Sequence, residues 1–133
     1  MTPDSPRVWI LDPGNLTPYY SLALGGSLSS IGLPVDFVTS RFSYDPELSV
    51  PPGIDVHLHY FPHGERWDRL GSWARKAYRA LRYPFDHARL IRRLDRGGLP
   101  RPDIVHIQWS RLPIMDRRLI AALAKRGVRV VHT

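Results

Sequence analysis

Two short clusters hold the side chains best suited to chemistry. One is the run Asp12-Pro13-Gly14-Asn15-Leu16-Thr17-Pro18-Tyr19, and the other is Gln108-Trp109-Ser110. Amide and hydroxyl groups beside an aromatic ring suit a sugar. The ring stacks on the sugar's apolar face while the polar groups bond its hydroxyls. Gly14 lets a ligand come close to the backbone. A helix starting at Pro18, with Thr17 as its N-cap, offers free N–H groups and a positive dipole end. The plainer alternative is an ordinary tight turn, a Trp109 that caps the core and an Asp116 that caps the next helix.

Other chemistries lack their residues. The first turn is no G-x-G-x-x-G loop, Thr39-Ser40-Arg41 stands where an acidic ribose partner would close the second strand, and no G-x-x-x-x-G-K-S/T loop occurs. Nicotinamide dehydrogenases and P-loop NTPases are thereby set aside. His57 and His59 share a strand face and His63 follows in a loop, but no third ligand is fixed nearby, so no metal site is expected. His106 sits mid-strand, as a hydrogen-bonded core histidine would. No G-x-S-x-G elbow or suitably placed carboxylate pair supports a hydrolase. No cofactor is expected.

The elements that must position these residues follow from hydrophobic pattern. Arg7 to Leu11 is a strand, and the helix from Pro18 carries Tyr20, Leu24 and Leu28 at four-residue spacing before Gly32 closes it. Val35 to Thr39 is a second strand, residues 41–53 a proline-rich loop, and Ile54 to Phe61 a third strand. In the basic stretch 64–98, Pro84 should break or kink a helix after Arg82 or Tyr83, with a second helix from Phe85 to Arg96. The runs DIVHIQW and VRVVHT then flank a helix that holds Leu119, Ile120 and Leu123, which makes a βαβ unit. The expected architecture is α/β: one three-layer Rossmann-like domain, residues 1–133, with a mostly parallel five-stranded sheet in order 3-2-1-4-5.

Composition narrows the setting. With no cysteine, disulfides and thiolate zinc sites are ruled out, and a reducing cytoplasm fits. The N-terminus shows no signal-peptide pattern and no run nears the ~18 apolar residues of a spanning helix. Nineteen Lys and Arg against twelve Asp and Glu leave a net charge of +7, and ten of those cations fall between Arg66 and Arg96. Arg75, Lys76, Arg79 and Arg82 flank a stripe of Leu70, Trp73, Ala74, Ala77 and Leu81. That composition suits an anionic membrane surface, and the expected location is cytoplasmic, peripheral at the membrane's inner face. The alternative is a stripe packed on the sheet with only the cations outside. No nucleic-acid motif accompanies the charge.

Taken together, the pattern resembles the amino-terminal, acceptor-side domain of family 4 glycosyltransferases with GT-B architecture. RVWILDPGNLTPYYSLALGGSLSSIGLPVDFVTS is similar to the family's opening strand, small-residue-rich helix and "G-x-x-V-x-x-V-T" approach to the second strand, here Gly32 to Thr39. PDIVHIQWSRLPIMDRRLIAALAKRGVRVVHT is similar to its "PDIVHxH…P…G…VVxTxH" run. Gln108 departs from the second histidine of that strand, and the histidine after the strand-final threonine would fall beyond Thr133. The resemblance implies an acceptor-binding half of a retaining, nucleotide-sugar-dependent transferase. Its donor-binding domain, which in the family carries Glu-x7-Glu, is absent from this sequence. The implied acceptor is a sugar or a lipid-linked sugar, held by Gly14, Asn15, Thr17, Tyr19, Gln108, Trp109 and Ser110. The implied partner is the donor domain or a separate chain that carries it. The competing expectation is a non-catalytic Rossmann-like binding module on an anionic membrane or a partner chain.

Overall fold

The computed structural model describes residues 5–15, 17–42, 47–109 and 113–133. Over these the chain runs β1 (Val8–Asp12), α1 (Pro18–Ser30), β2 (Val35–Thr39), β3 (Ile54–Leu58), α2 (Gly64–Asp68), α3 (Ser72–Asp95), β4 (Ile104–Ile107), α4 (Pro113–Lys125) and β5 (Arg129–His132). The sheet is parallel throughout, in the expected order β3-β2-β1-β4-β5.

β1 and β2 are buried along their whole length, as strands covered on both faces must be. On one face Ile10, Val35, Phe37 and Ile54 pack with Leu22 of α1, joined by Phe42 and Leu48 from the β2–β3 connection. Those two loop side chains cover the sheet where a crossover helix would otherwise lie. On the other face Trp9, Leu11, Val105 and Ile107 meet Leu90 and Leu94 of α3 and Leu119 and Leu123 of α4.

Gly25 explains how closely α1 can approach. A Cβ there would stand 2.9 Å from Ile54 Cδ1 and 3.2 Å from Ile10 Cδ1. A mid-helix glycine costs about 1 kcal/mol against alanine, whereas each large aliphatic side chain it helps to bury contributes ~1.5–3 kcal/mol. Burial wins, and the helix tolerates its glycine.

Three local expectations are corrected. Pro84 does not break the helix: α3 is one helix of 24 residues with Pro84 inside it. The ring removes a backbone hydrogen bond and crowds the preceding turn, at about 3 kcal/mol. Tyr83, Asp86, His87 and Leu90 are buried on both sides of it, and the burial of Tyr83 and Leu90 alone offsets a cost of that size. β3 ends at Leu58 rather than Phe61. His59 and Tyr60 both donate their N–H to Thr39 O, at 2.9 and 3.1 Å, and Phe61 turns off the sheet at φ 51°. Finally, the helical stripe expected from Leu70 to Leu81 is interrupted, because Leu70 lies in the turn between the short helix α2 and α3.

Candidate functional site

β1 lies between β2 and β4, where the strand order reverses, so a crevice opens at the carboxyl ends of β1 and β4. Asp12 organises its floor. Its Oδ1 accepts the Asn15 N–H at 3.1 Å, its Oδ2 accepts the Ser21 hydroxyl at 3.0 Å, and its carbonyl accepts the Thr39 hydroxyl at 2.7 Å. Asn15 adopts φ 47°, a left-handed conformation that asparagine tolerates. Its Nδ2 donates to Ser40 O at 2.9 Å, while its buried Oδ1 has no hydrogen-bond partner among the described residues.

Gln108 continues the β1–β4 ladder one residue past the strand, its N–H donating to Leu11 O at 2.9 Å. The side chain is fully buried, at 0% exposure, yet neither Oε1 nor Nε2 has a hydrogen-bond partner among the described residues. An unpaired buried polar group costs ~1–3 kcal/mol. Three such atoms, one on Asn15 and two on Gln108, therefore stand at neighbouring strand ends. Next to them Trp109 takes φ 57° and leaves its ring half exposed. The indole Nε1 donates to Thr17 Oγ1 at 3.0 Å, and the Tyr20 ring lies 6.5 Å away, tilted by 52°.

Gly14, Asn15, Thr17, Gln108 and Trp109 thus share one edge of the sheet. Tyr19 is exposed on the first turn of α1, and its neighbour Tyr20 supplies the ring against Trp109. Thr17 occupies the N-cap position without a side-chain cap bond, because its hydroxyl accepts the indole instead. Ser110 lies outside the described residues. Sequence reasoning passed over Asp12, Ser21 and Tyr20. An acid closing the first strand just before a Pro-Gly turn is the signal that points to Asp12.

A second buried polar group lies between α3 and α4. Asp116 does not serve as a simple helix cap. It is buried, and its Oδ1 accepts the Tyr83 hydroxyl at 2.6 Å and the His87 Nε2–H at 3.0 Å. That tautomer leaves His87 Nδ1 to accept the Tyr60 hydroxyl at 2.8 Å. Burial raises the Tyr60 phenol well above its usual value, so it remains a donor. Asp86 is raised by burial too, against the Phe61 N–H at 2.9 Å and the Arg82 and Arg89 cations. None of these groups belongs to the crevice, and nor does the groove of about 180 Å³ lined by His87, Ile91, Met115 and Arg118.

Three further histidines hydrogen-bond within the fold. His57 Nε2 meets the buried Asp36 carboxylate at 2.8 Å, opposite Arg7 at 2.7 Å. His59 Nε2–H donates to Asp86 O at 2.7 Å, and its Nδ1 accepts Arg93 at 2.8 Å. His106 is half-buried rather than fully so, and bonds Thr133 Oγ1 at 2.8 Å. Among the described residues no three His, Cys, Asp or Glu side chains are grouped to hold a metal ion. Of the four cations expected to contact anions, Arg75 and Lys76 are exposed. Arg79 lies 5.0 Å over the Phe61 ring and Arg82 lies 4.5 Å over Phe85, so both also serve the protein's own packing. No helix among the described residues is long and apolar enough to cross a membrane.

No family model matches this sequence, and no curated protein matches it. Solved structures share its fold. One is Os79 from O. sativa in complex with UDP, at 19% identity and a TM-score of 0.63. Another is Os79 with UDP and deoxynivalenol-3-glucoside, at 20% identity and a TM-score of 0.61. Each alignment covers 95% of this chain and 28% of the Os79 chain. The chain therefore spans little more than a quarter of the length of these neighbours. What they share at such identity is the Rossmann-like α/β fold.

Proposed function

We propose that this chain is the acceptor-binding half of a retaining, nucleotide-sugar-dependent glycosyltransferase of the family 4 type. The observation that carries the reading is the pair of buried carboxamides with unpaired atoms at the carboxyl ends of neighbouring strands, Asn15 after β1 and Gln108 after β4, with the Trp109 ring, next in the chain to Gln108, set against Tyr20. A carboxamide offers a donor and an acceptor side by side, which matches adjacent hydroxyls of a sugar, and the rings match its apolar face. The UDP bound to Os79, with a glucoside in one of the two complexes, supports nucleotide-sugar chemistry for a fold of this kind.

In such a transfer the acceptor oxygen bonds to the anomeric carbon on the face from which the nucleoside diphosphate departs, and the acceptor's proton passes to that departing diphosphate. The crevice orients the acceptor. On this reading the donor sits on a second domain, in a longer polypeptide or on a separate chain, and the protein works in the cytoplasm at the membrane's inner face. Orienting two reactants is worth ~7–11 kcal/mol of barrier, so residues 1–133 by themselves transfer no sugar. A second reading, a binding module without turnover, is favoured by the exposed apolar residues of α3.

The test is saturation-transfer NMR on the chain with a panel of methyl glycosides and with UDP. Sugar signals are expected, lost in Gln108→Leu, with none from UDP. Binding of UDP without any sugar would assign the crevice to the donor and overturn the proposal.

A further inference from the structure

The outward side of the α2–α3 hairpin carries large apolar side chains that no described part of the chain covers. Trp73 is 81% exposed, Leu81 79% and Leu70 66%, with Phe85 and Trp67 partly exposed beside them. Along α3, Ala77, Leu81, Phe85 and Ala88 recur at spacings of four, four and three, which sets them on one side of the helix. Tyr83, Asp86, His87, Leu90 and Leu94 occupy the buried side. The apolar stripe is therefore on the surface and does not pack on the sheet.

The hairpin holds this ridge in place. Trp67 stacks on Tyr78 with 5.3 Å between centroids and 8° between planes, and the Tyr78 hydroxyl accepts the His63 N–H at 3.0 Å. Gly71, at φ 105°, makes the turn that leads into α3. Four exposed cations lie on the same hairpin, Arg66, Arg69, Arg75 and Lys76, whereas Arg79 and Arg82 turn onto Phe61 and Phe85. The same segment holds two acids, Glu65 and Asp68, and Glu65 is ion-paired with Arg41.

We propose that this ridge docks on an anionic phospholipid surface. Leu70, Trp73 and Leu81 enter the headgroup layer while Arg66, Arg69, Arg75 and Lys76 meet the phosphates. The charge selects this occupant: a second copy of the chain would bring its own four exposed cations against these four, whereas an anionic leaflet neutralises them. The shape agrees, since a helix with an apolar row, an interfacial tryptophan and a basic margin lies in the plane of a bilayer surface. The inference stands independently of the acceptor reading.

The test is co-sedimentation of the chain with phosphatidylcholine vesicles and with vesicles that also contain phosphatidylglycerol. Binding is expected only where the anionic lipid is present, weakening as salt is raised. The double variant Arg75→Gln, Lys76→Gln should bind roughly thirtyfold more weakly. The variant Trp73→Ser, Leu81→Ser should lose at least about tenfold in binding with its thermal midpoint unchanged, because both side chains face solvent. Equal binding to both vesicle types, binding to neither, or full binding by the serine variant overturns the proposal. So does a dimer on size-exclusion chromatography that Trp73→Ser dissolves, which would make a second copy the occupant.

Discussion

The indole Nε1 of Trp109 donates to Thr17 Oγ1 at 3.0 Å, tying the end of β4 to the start of α1 across the mouth of the crevice. Both residues are exposed, so the bond adds at most ~0.5–1.5 kcal/mol to stability. Its larger effect is to fix the ring. Thr17→Val keeps the shape and removes the acceptor. Its thermal midpoint should barely change, while affinity for a methyl glycoside, measured by titration, should fall several-fold.

Gln108 should show the opposite balance. Replacing it by leucine removes two buried polar atoms that have no partner, each costing ~1–3 kcal/mol. Gln108→Leu is expected to raise the thermal midpoint by several degrees and to abolish sugar binding. A stability gain bought with lost function is common at sites built to meet a ligand. A drop in midpoint would show that the amide already has a partner in the folded protein.

Acid should destabilise the protein through His59. Burial, aided by Arg89 and Arg93, brings its pKa from the ordinary 6.5 down to about 4. Below pH ~6.5 the unfolded chain gains a proton at this residue that the folded chain refuses until about pH 4. Stability is therefore full above that window and falls through it, by up to roughly 3 kcal/mol. Asp86 acts in the opposite sense, since burial raises its carboxyl and protonation relieves it. Thermal melts between pH 7 and pH 4 measure the slope. His59→Gln, which can still donate to Asp86 O and accept from Arg93, should flatten it.

Gly25 sets how much volume the α1–sheet contact tolerates. Alanine there gains about 1 kcal/mol of helix propensity and loses a similar amount by pressing on Ile54 and Ile10, so its melting point should stay close to the parent's. Valine adds bulk that the packed cluster has no room for, and Gly25→Val should cost about 2–3 kcal/mol in chemical denaturation.

The strand order is legible in the sequence because fully buried parallel strands must be apolar throughout, and RVWIL, VDFVT and DIVHIQW are nearly so. The crevice follows from that order, which sets Asn15 and Gln108 beyond the carboxyl ends of the neighbouring strands β1 and β4. What stays hidden is whatever depends on contacts far along the chain. Pro84 looks like a helix end because the rule is local, and Tyr83, Asp86, His87 and Leu90 override it by tertiary burial. The Tyr60–His87–Asp116 chain joins residues 27 and 29 positions apart, and no periodicity announces it. Tyr20 replaces Tyr19 beside Trp109 because one residue is 100° of helix rotation. The stripe from Leu70 to Leu81 is periodic whether it faces core or solvent, so pattern alone leaves its side open.

The unbroken course of α3 through Pro84 makes it a mechanical element. At 1.5 Å per residue the helix is about 36 Å long, one uninterrupted run of helix on both sides of Pro84. Its far half is clamped by Asp86, His87, Leu90 and Leu94, and its near half carries Trp73 and Leu81 out into solvent. A hinge at Pro84 would let the near half swing without consequence. A continuous helix instead joins Trp73 to His87, which is bonded to Tyr60 just beyond β3 and to Asp116 at the start of α4. The solvent-facing ridge and the segments that frame the carboxyl edge of the sheet are thus parts attached to one helix.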